Sequence, residues 1–233
     1  MKEFVKSIVI AAVVVFSFSG CQTASLSSLD SLPTPTPFLT DSIERKTSEP
    51  YTGDLSIFEE AERDKALQID RVMDILKISD GKSVADVGAG SGWFSVRAAK
   101  RVGGKGKVFA VEINQEYIDH IAARAKNEGF ENITTVLGKE DDPLLAKQSV
   151  DAVMILKTYH EIAQPIRFLK NLRPALRKNA LVGIIDRTGD GEDHGINQET
   201  IIDEAKRAGY VLKEKYDFVK DGMDYFLVFR VAK

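Results

Sequence analysis

The stretch SVADVGAGSGW, residues 83–93, decides the fold of this chain. It runs from a short, mostly apolar segment, 83–87, through a glycine-rich turn, 88–92, into residues with the apolar spacing of a helix. Glycines in such a turn let the backbone bend sharply and let a ligand approach without meeting a Cβ atom. The stretch therefore predicts a strand, a ligand-binding turn and a helix in direct succession, as in open α/β sheets.

Strands and helices continue to alternate along the rest of the chain. The predicted strands are 83–87, 107–112, 132–137, 150–156, 181–186, 210–218 and 225–231, and the predicted helices are 57–78, 93–101, 115–128, 165–177 and 198–208. This alternation is typical of a doubly wound parallel sheet with helices on both faces. The last two strands have no helix between them, so we expect one of them to be antiparallel at the sheet edge.

Four residues beyond the turn indicate which ligand it takes: Trp93, Glu112, Glu140 and Asp141. The dinucleotide fingerprint G-x-G-x-x-G needs its third glycine at position 93, where Trp93 would obstruct close packing of helix against strand. Glu112 ends the second predicted strand and can accept hydrogen bonds from the vicinal hydroxyls of a ribose, although a solvated strand-end charge would give the same pattern. Glu140 and Asp141 follow the third strand, where they either meet an adenine amino group or are simply solvated.

At these residues the chain resembles the class I S-adenosylmethionine (SAM)-dependent methyltransferases. Segment 84–92 is similar to their first motif, 110–112 to their second-strand acid, 151–156 to their fourth strand, and 172–179 to their corner between a helix and the fifth strand. The resemblance implies a Rossmann-like, doubly wound α/β sheet of seven strands in the order 3-2-1-4-5-7-6, with strand seven antiparallel. Asn179 replaces the usual glycine of the corner, and asparagine can still adopt the left-handed conformation.

The same resemblance, which covers residues 57–233, implies S-adenosyl-L-methionine as the cofactor. The cofactor contacts that it implies are Asp86, Gly88, Ala89, Gly90, Ser91, Gly92, Glu112, Ile113, Glu140, Asp141 and Leu156.

Candidates for the chemical step follow the fourth strand, at 157–161. His160 is predicted to act as a base or to orient the acceptor, and the alternative is a structural histidine bonded to the next helix. Tyr159 either closes over the SAM methyl group or packs in the core. Lys157 stands where the family more often has Asp or Asn, and we expect it to turn to solvent or to meet Glu161.

No metal site is predicted. His194 lies in a loop with several acids, Asp186, Asp190, Glu192 and Asp193, and such a loop is more often solvated than bound to a cation. His120 is most simply a surface residue of a helix.

Bulk composition limits the function classes. The chain has 233 residues with a formal net charge of -3, so it fits one domain with tails, and no nucleic-acid partner is expected. Its single cysteine, Cys21, excludes both an internal disulfide and a zinc site built from cysteines.

The N-terminus is unlike the rest of the chain. Lys2 and Lys6 precede an apolar run, 8–18, that is too short to span a bilayer as a helix, which is typical of a secretory signal peptide. Residues 18–21, Phe-Ser-Gly-Cys, resemble the lipobox of bacterial lipoproteins with Phe in place of the usual Leu. We therefore expect a protein of the bacterial cell envelope, lipid-anchored to the membrane through Cys21; the alternative is a secreted or periplasmic protein.

The predicted organisation has three parts. A signal peptide, 1–20, is followed by a Ser/Thr/Pro-rich tether, 21–50, and by a methyltransferase domain, 51–233. The domain comprises an N-terminal helical extension, 51–80, and a SAM-binding core, 81–233.

Two functions fit this organisation. The first is a SAM-dependent methyltransferase that acts on a small-molecule or membrane-associated acceptor. The alternative is a catalytically inactive, SAM-binding envelope lipoprotein that serves as a sensor or scaffold. A nicotinamide-dependent oxidoreductase is disfavoured by Trp93.

Overall fold

The computed structural model describes residues 44–48, 51, 53–190 and 192–233. The strands are β1 (Ser83–Val87), β2 (Lys107–Glu112), β3 (Ile133–Leu137), β4 (Val150–Leu156), β5 (Leu176–Asp186), β6 (Tyr210–Tyr216) and β7 (Tyr225–Val231). The α-helices are α1 (Arg63–Leu67), α2 (Ile69–Ile75), α3 (Trp93–Val102), α4 (Gln115–Asn127), α5 (Pro165–Leu172) and α6 (Gln198–Arg207). The predicted signal peptide, Cys21 and most of the tether lie outside the described residues.

The seven strands form one sheet in the order β3-β2-β1-β4-β5-β7-β6. Strand β7 pairs antiparallel with both β5 and β6, and every other pairing is parallel. The predicted order and the predicted antiparallel strand are both confirmed. The connection after β1 leads to β2 on one side of it, and the connection after β3 leads to β4 on the other side. A crevice opens at the carboxyl ends of the strands where the order reverses in this way.

Both faces of the sheet are covered, which accounts for the continuous apolar runs of its central strands. On one face, Val84 of β1 belongs to the same buried cluster as Phe94 of α3. On the other face, its neighbour Ala85 belongs to a cluster with Leu169 of α5. Helices α2 and α3 thus contribute to the first layer and α5 and α6 to the second.

The predicted helix 57–78 is not continuous, which corrects that part of the sequence analysis. A 3₁₀ turn precedes α1, and Gln68 adopts a left-handed conformation with φ of 49° between α1 and α2. Leu67 and Ile69 are both buried on either side of the break. Residues two positions apart point to different faces of one continuous helix, so the break lets both side chains reach the core.

The predicted helix 165–177 is also too long. Helix α5 ends at Leu172, a 3₁₀ turn that contains Pro174 follows, and β5 begins at Leu176 instead of the expected 181. Proline lacks the backbone N–H that would continue the hydrogen-bond pattern of the helix, and β5 begins two residues after it. Asn179 has φ of 68°, as predicted, at a register shift between β4 and β5.

Residues 44–48 belong to the predicted tether, and Arg45 among them contacts the domain. The Arg45 backbone N–H donates to the Ala163 carbonyl at 2.8 Å, and its guanidinium pairs with Glu204 at 3.2 Å. Composition reveals a proline-rich segment but cannot show an ion pair between positions 159 residues apart. Across the described part of the chain, none of the helices is both long and apolar enough to cross a bilayer.

Candidate functional site

A cavity of about 630 Å³ opens at the carboxyl ends of β1, β2 and β4. Its volume falls within the range of small-molecule and cofactor sites. The glycine turn and the residues that follow β2, β3 and β4 form much of the wall. The segment before α1 and residues of α1, α3, α4 and α5 contribute to the rest. The cavity therefore lies at the topological switch point where the sequence predicted a ligand.

The glycine turn is tied to β2 by its backbone. The N–H groups of Gly88 and Ala89 donate to the Val111 carbonyl at 2.9 and 3.2 Å. Gly88 has φ of 69°, and a Cβ atom there would overlap the side chain of Thr158, so only glycine suits this position. The turn thus brings the backbone close to the end of β4 and leaves room for a ligand in front of it.

Glu112 is held at the cavity wall by two main-chain donors. Its Oε1 accepts from the Gly90 N–H at 2.6 Å, and its Oε2 accepts from the Ile113 N–H at 3.1 Å. Burial raises the pKa of the carboxyl group, and the two backbone hydrogen bonds act in the opposite direction. An ionised carboxylate has about four acceptor sites, so it can still accept hydrogen bonds from a pair of ligand hydroxyls.

Asp86 is a second, more deeply buried acid of the cavity. It is 2% exposed, and Ser95 donates its hydroxyl to Oδ2 at 2.6 Å. Burial raises the pKa of Asp86 to about 7, and the charge of Glu112 adds to this effect. Its carboxyl group is therefore only partly ionised near neutral pH.

Arg63 lines the cavity from α1 and was not predicted from the sequence. Its guanidinium lies 4.5 Å from the centroid of the Trp93 ring, and its Nε–H donates to Asp221 at 2.9 Å. Helical periodicity places charged residues on the surface, so nothing in the pattern marked this arginine as buried. It supplies a cation beside the glycine turn.

Aromatic residues outside the core motifs complete the wall. The rings of Tyr51 and Phe58 meet edge to face at 5.7 Å, and the Tyr117 hydroxyl donates to the Tyr51 carbonyl at 2.6 Å. All three side chains line the cavity. They come from the N-terminal extension and from α4, and no local sequence motif shows that these segments meet.

Most of the predicted cofactor contacts lie on the cavity wall. Those that do so are Asp86, Gly88, Ala89, Gly90, Ser91, Glu112, Ile113, Glu140 and Leu156. Gly92 and Asp141 are not among the lining residues: Gly92 precedes α3 and faces Ile121, and Asp141 pairs with Arg167 at 2.7 Å.

The residues after β4 separate into core and cavity positions. Tyr159 is fully buried and donates its hydroxyl to Glu204 at 2.9 Å, which corresponds to the packing alternative. His160 is 1% exposed, and its Nδ1 lies 2.9 Å from Asp186 at the end of β5, so its partner is a strand and not the next helix. Lys157 is exposed at the cavity margin. Glu161, which the sequence analysis named only as a possible partner of Lys157, lines the cavity, and burial raises the pKa of its carboxyl group.

Comparisons with known proteins match parts of this chain to methyltransferases. Residues 84–179 match the family model of a methyltransferase domain. The chain is 29% identical to a protein-L-isoaspartate O-methyltransferase of Methanococcoides burtonii over 111 residues. This aligned segment covers 48% of this chain and 52% of the relative. The chain is also 31% identical to a nocamycin O-methyltransferase of Saccharothrix syringae over 108 residues, which cover 45% of this chain and 39% of that relative. The chain thus spans about half the length of the curated relatives it matches.

Among solved structures, a SAM-dependent methyltransferase from Aquifex aeolicus has the same fold. The two superpose with a TM-score of 0.70 at 20% identity, over 76% of this chain and 97% of the other. At 20% sequence identity the superposition shows only a shared fold. That fold agrees with the strand order described above.

Proposed function

Because this chain carries a methyltransferase domain with the class I, SAM-dependent fold, we propose that it binds SAM in the cavity and transfers the methyl group to an acceptor in the bacterial cell envelope. The observation that carries the proposal is the carboxylate of Glu112, held by the Gly90 N–H at 2.6 Å on the wall of that cavity. This arrangement presents fixed acceptors for ribose hydroxyls next to a turn that leaves space for a nucleoside.

The residues on the wall fit the other parts of SAM as well. Glu112 would hold the ribose, and Glu140, in the loop after β3, would accept from the adenine amino group. Arg63 offers a guanidinium for the carboxylate of the methionine part. When bound, SAM supplies a methyl group activated by the positive sulfonium centre.

The chain itself must align the acceptor and exclude water. Tyr51 and Phe58 contribute two aromatic rings in edge-to-face contact to the cavity wall. Alignment of two reactants contributes much of the rate enhancement in such a displacement. Glu161 adds a carboxylate to the same wall.

An oxygen acceptor is favoured by the names of the two relatives, both O-methyltransferases. The proposed acceptor is a small molecule or a membrane-associated molecule that bears a hydroxyl or carboxyl group. The apolar run 8–18 and the lipobox-like Phe-Ser-Gly-Cys at 18–21 support a lipid anchor at Cys21, which would place the domain at the membrane.

Methyl-labelled SAM tests the proposal. The full-length protein is incubated with labelled SAM and either an envelope extract or an isoaspartyl peptide, with Glu112→Ala as the control. Label in a product with the wild-type protein, and its loss in the variant, supports methyl transfer. Tight SAM binding with no labelled product in either assay would favour the sensor or scaffold instead.

A further inference from the structure

Three potential metal ligands meet beside the cavity. One ligand atom from each of His160, Glu161 and His194 lies within 4.8 Å of the other two. His160 and Glu161 follow β4, and His194 belongs to the loop after β5. We propose that these residues form a binding site for a divalent transition-metal ion at the margin of the cavity.

His160 is oriented as metal-binding histidines usually are. Its Nδ1 is 2.9 Å from Oδ1 of Asp186, and its backbone N–H donates to the same carboxylate at 3.1 Å. In the tautomer that donates from Nδ1 to Asp186, the lone pair of Nε2 is directed away from this carboxylate. Nε2 lies 3.8 Å from Oε1 of Glu161, too far for a hydrogen bond. A histidine that binds a metal usually does so through one ring nitrogen and bonds to a carboxylate through the other.

The loop after β5 holds His194 against His160. Arg187 donates from its guanidinium to the carbonyl oxygens of Asp193 and His194, and an antiparallel bridge joins Asp190 to Ile196. The two imidazole rings lie edge to face with centroids 6.0 Å apart. A histidine of an otherwise polar loop is therefore placed next to a fully buried one.

The ligand set indicates the class of ion. Two imidazoles and one carboxylate suit Zn²⁺ and its neighbours in the first transition row, and not Mg²⁺ or Ca²⁺, which prefer oxygen ligands. Nitrogen and oxygen ligands bind Zn²⁺ at about 2.0–2.2 Å, so the more exposed side chains of Glu161 and His194 must move slightly inward. Three protein ligands leave at least one coordination position open, and Glu161 also lines the cavity.

The sequence analysis predicted no metal, because it grouped His194 with the acids of its own loop. In the structure the exposed side chains of Asp190, Glu192 and Asp193 are not part of the cluster. The partners of His194 instead come from the end of a different strand, β4.

Metal titration of the full-length, chelator-treated protein tests the site. Zn²⁺ binding is measured by calorimetry, and Co²⁺ is used as a probe whose visible absorption reports its ligands. The variants are His194→Ala and, as the matched control, His120→Ala, which removes an exposed histidine of α4. We expect one high-affinity Zn²⁺ per wild-type chain, an affinity at least about tenfold lower in His194→Ala, and no change in His120→Ala.

Binding of S-adenosylhomocysteine, measured on the same samples, shows that each variant is folded and keeps this test separate from the proposed function. Glu161→Gln is a second ligand variant and should also lower the Zn²⁺ affinity. No saturable Zn²⁺ binding by the wild-type protein would overturn the proposal. Equal Zn²⁺ affinity and the same Co²⁺ spectrum in wild-type, His194→Ala and Glu161→Gln would overturn it too.

Discussion

The carboxylate of Glu112 accepts a hydrogen bond of 2.6 Å from the backbone N–H of Gly90. This contact joins the end of β2 to the middle of the turn after β1, so two elements of the cavity wall form one unit. The same carboxylate is 8% exposed and faces the cavity. The backbone N–H groups of Gly90 and Ile113 therefore fix the position of this carboxylate on the cavity wall.

Replacement of Glu112 by alanine is expected to weaken binding of S-adenosylhomocysteine by about 1.5–3 kcal/mol, the usual contribution of hydrogen bonds to a charged group. Calorimetric titration measures the change. Glu131→Ala, which removes an exposed glutamate before β3, is the matched control and should leave the dissociation constant unaltered. An unchanged affinity in Glu112→Ala would mean that another residue holds the ribose.

The raised pKa of Asp86 predicts a specific pH dependence of stability. Its pKa is about 7 in the folded protein against an ordinary value of 3.8, because burial disfavours the charged form. Between these values the folded state binds more protons than the unfolded state, so the stability that protonated Asp86 contributes is lost as the pH rises. Relative to Asp86→Asn, the free energy of unfolding of the wild-type protein should fall from about pH 4 to about pH 7.

Urea unfolding of the wild-type and Asp86→Asn proteins at a series of pH values measures this difference. In the variant, Ser95 can donate to the amide oxygen of the new side chain as it does to the carboxylate of Asp86, so the substitution keeps the buried hydrogen bond. A difference between the two proteins that stays constant over this range would contradict the shift.

Tyr159→Phe is expected to reduce stability without affecting cofactor binding. The hydroxyl of Tyr159 donates to Glu204 at 2.9 Å in the core, and its loss leaves that buried carboxylate with one donor fewer. The expected cost is about 1–3 kcal/mol in the free energy of unfolding, measured with denaturant. A large loss of S-adenosylhomocysteine affinity in the folded variant would instead mean that Tyr159 reaches the cavity.

The proposed lipid anchor predicts that the full-length protein sediments with membranes in a bacterial host and that Cys21→Ser is released or remains unprocessed. Buried acyl chains contribute about 0.8 kcal/mol per CH₂ group, so several together hold a protein on a bilayer. Mass spectrometry of the mature N-terminus decides the question. An intact, unmodified peptide from Met1 to Lys6 in the mature protein would rule out the anchor.

The central strands and the glycine turn were predictable because their signals are local. Strands β1, β2 and β4 have the predicted bounds, since a strand buried on both faces is a continuous apolar run that ends at turn residues. Glu112 was predictable from the sequence as well, because it is an acid at the end of the strand that follows the glycine turn. The sheet order came from the family resemblance and is confirmed.

Features that depend on distant parts of the chain were not predictable. Arg45 is half-buried against Glu204 and Arg63 is buried against Asp221, and each partner lies far along the sequence. A helical pattern assigns such charges to the surface, and only the tertiary fold supplies their partners. The meeting of His160 and His194 has the same origin, because it joins the residues after β4 to the loop after β5.

The most direct test of the central claim is calorimetric titration of the full-length wild-type protein with S-adenosylhomocysteine and, separately, with NAD⁺. The glycine turn, Glu112 and the cavity predict binding of S-adenosylhomocysteine in the micromolar range, and Trp93 at the start of α3 predicts no comparable binding of NAD⁺. Tight binding of NAD⁺ with none of S-adenosylhomocysteine would contradict the account.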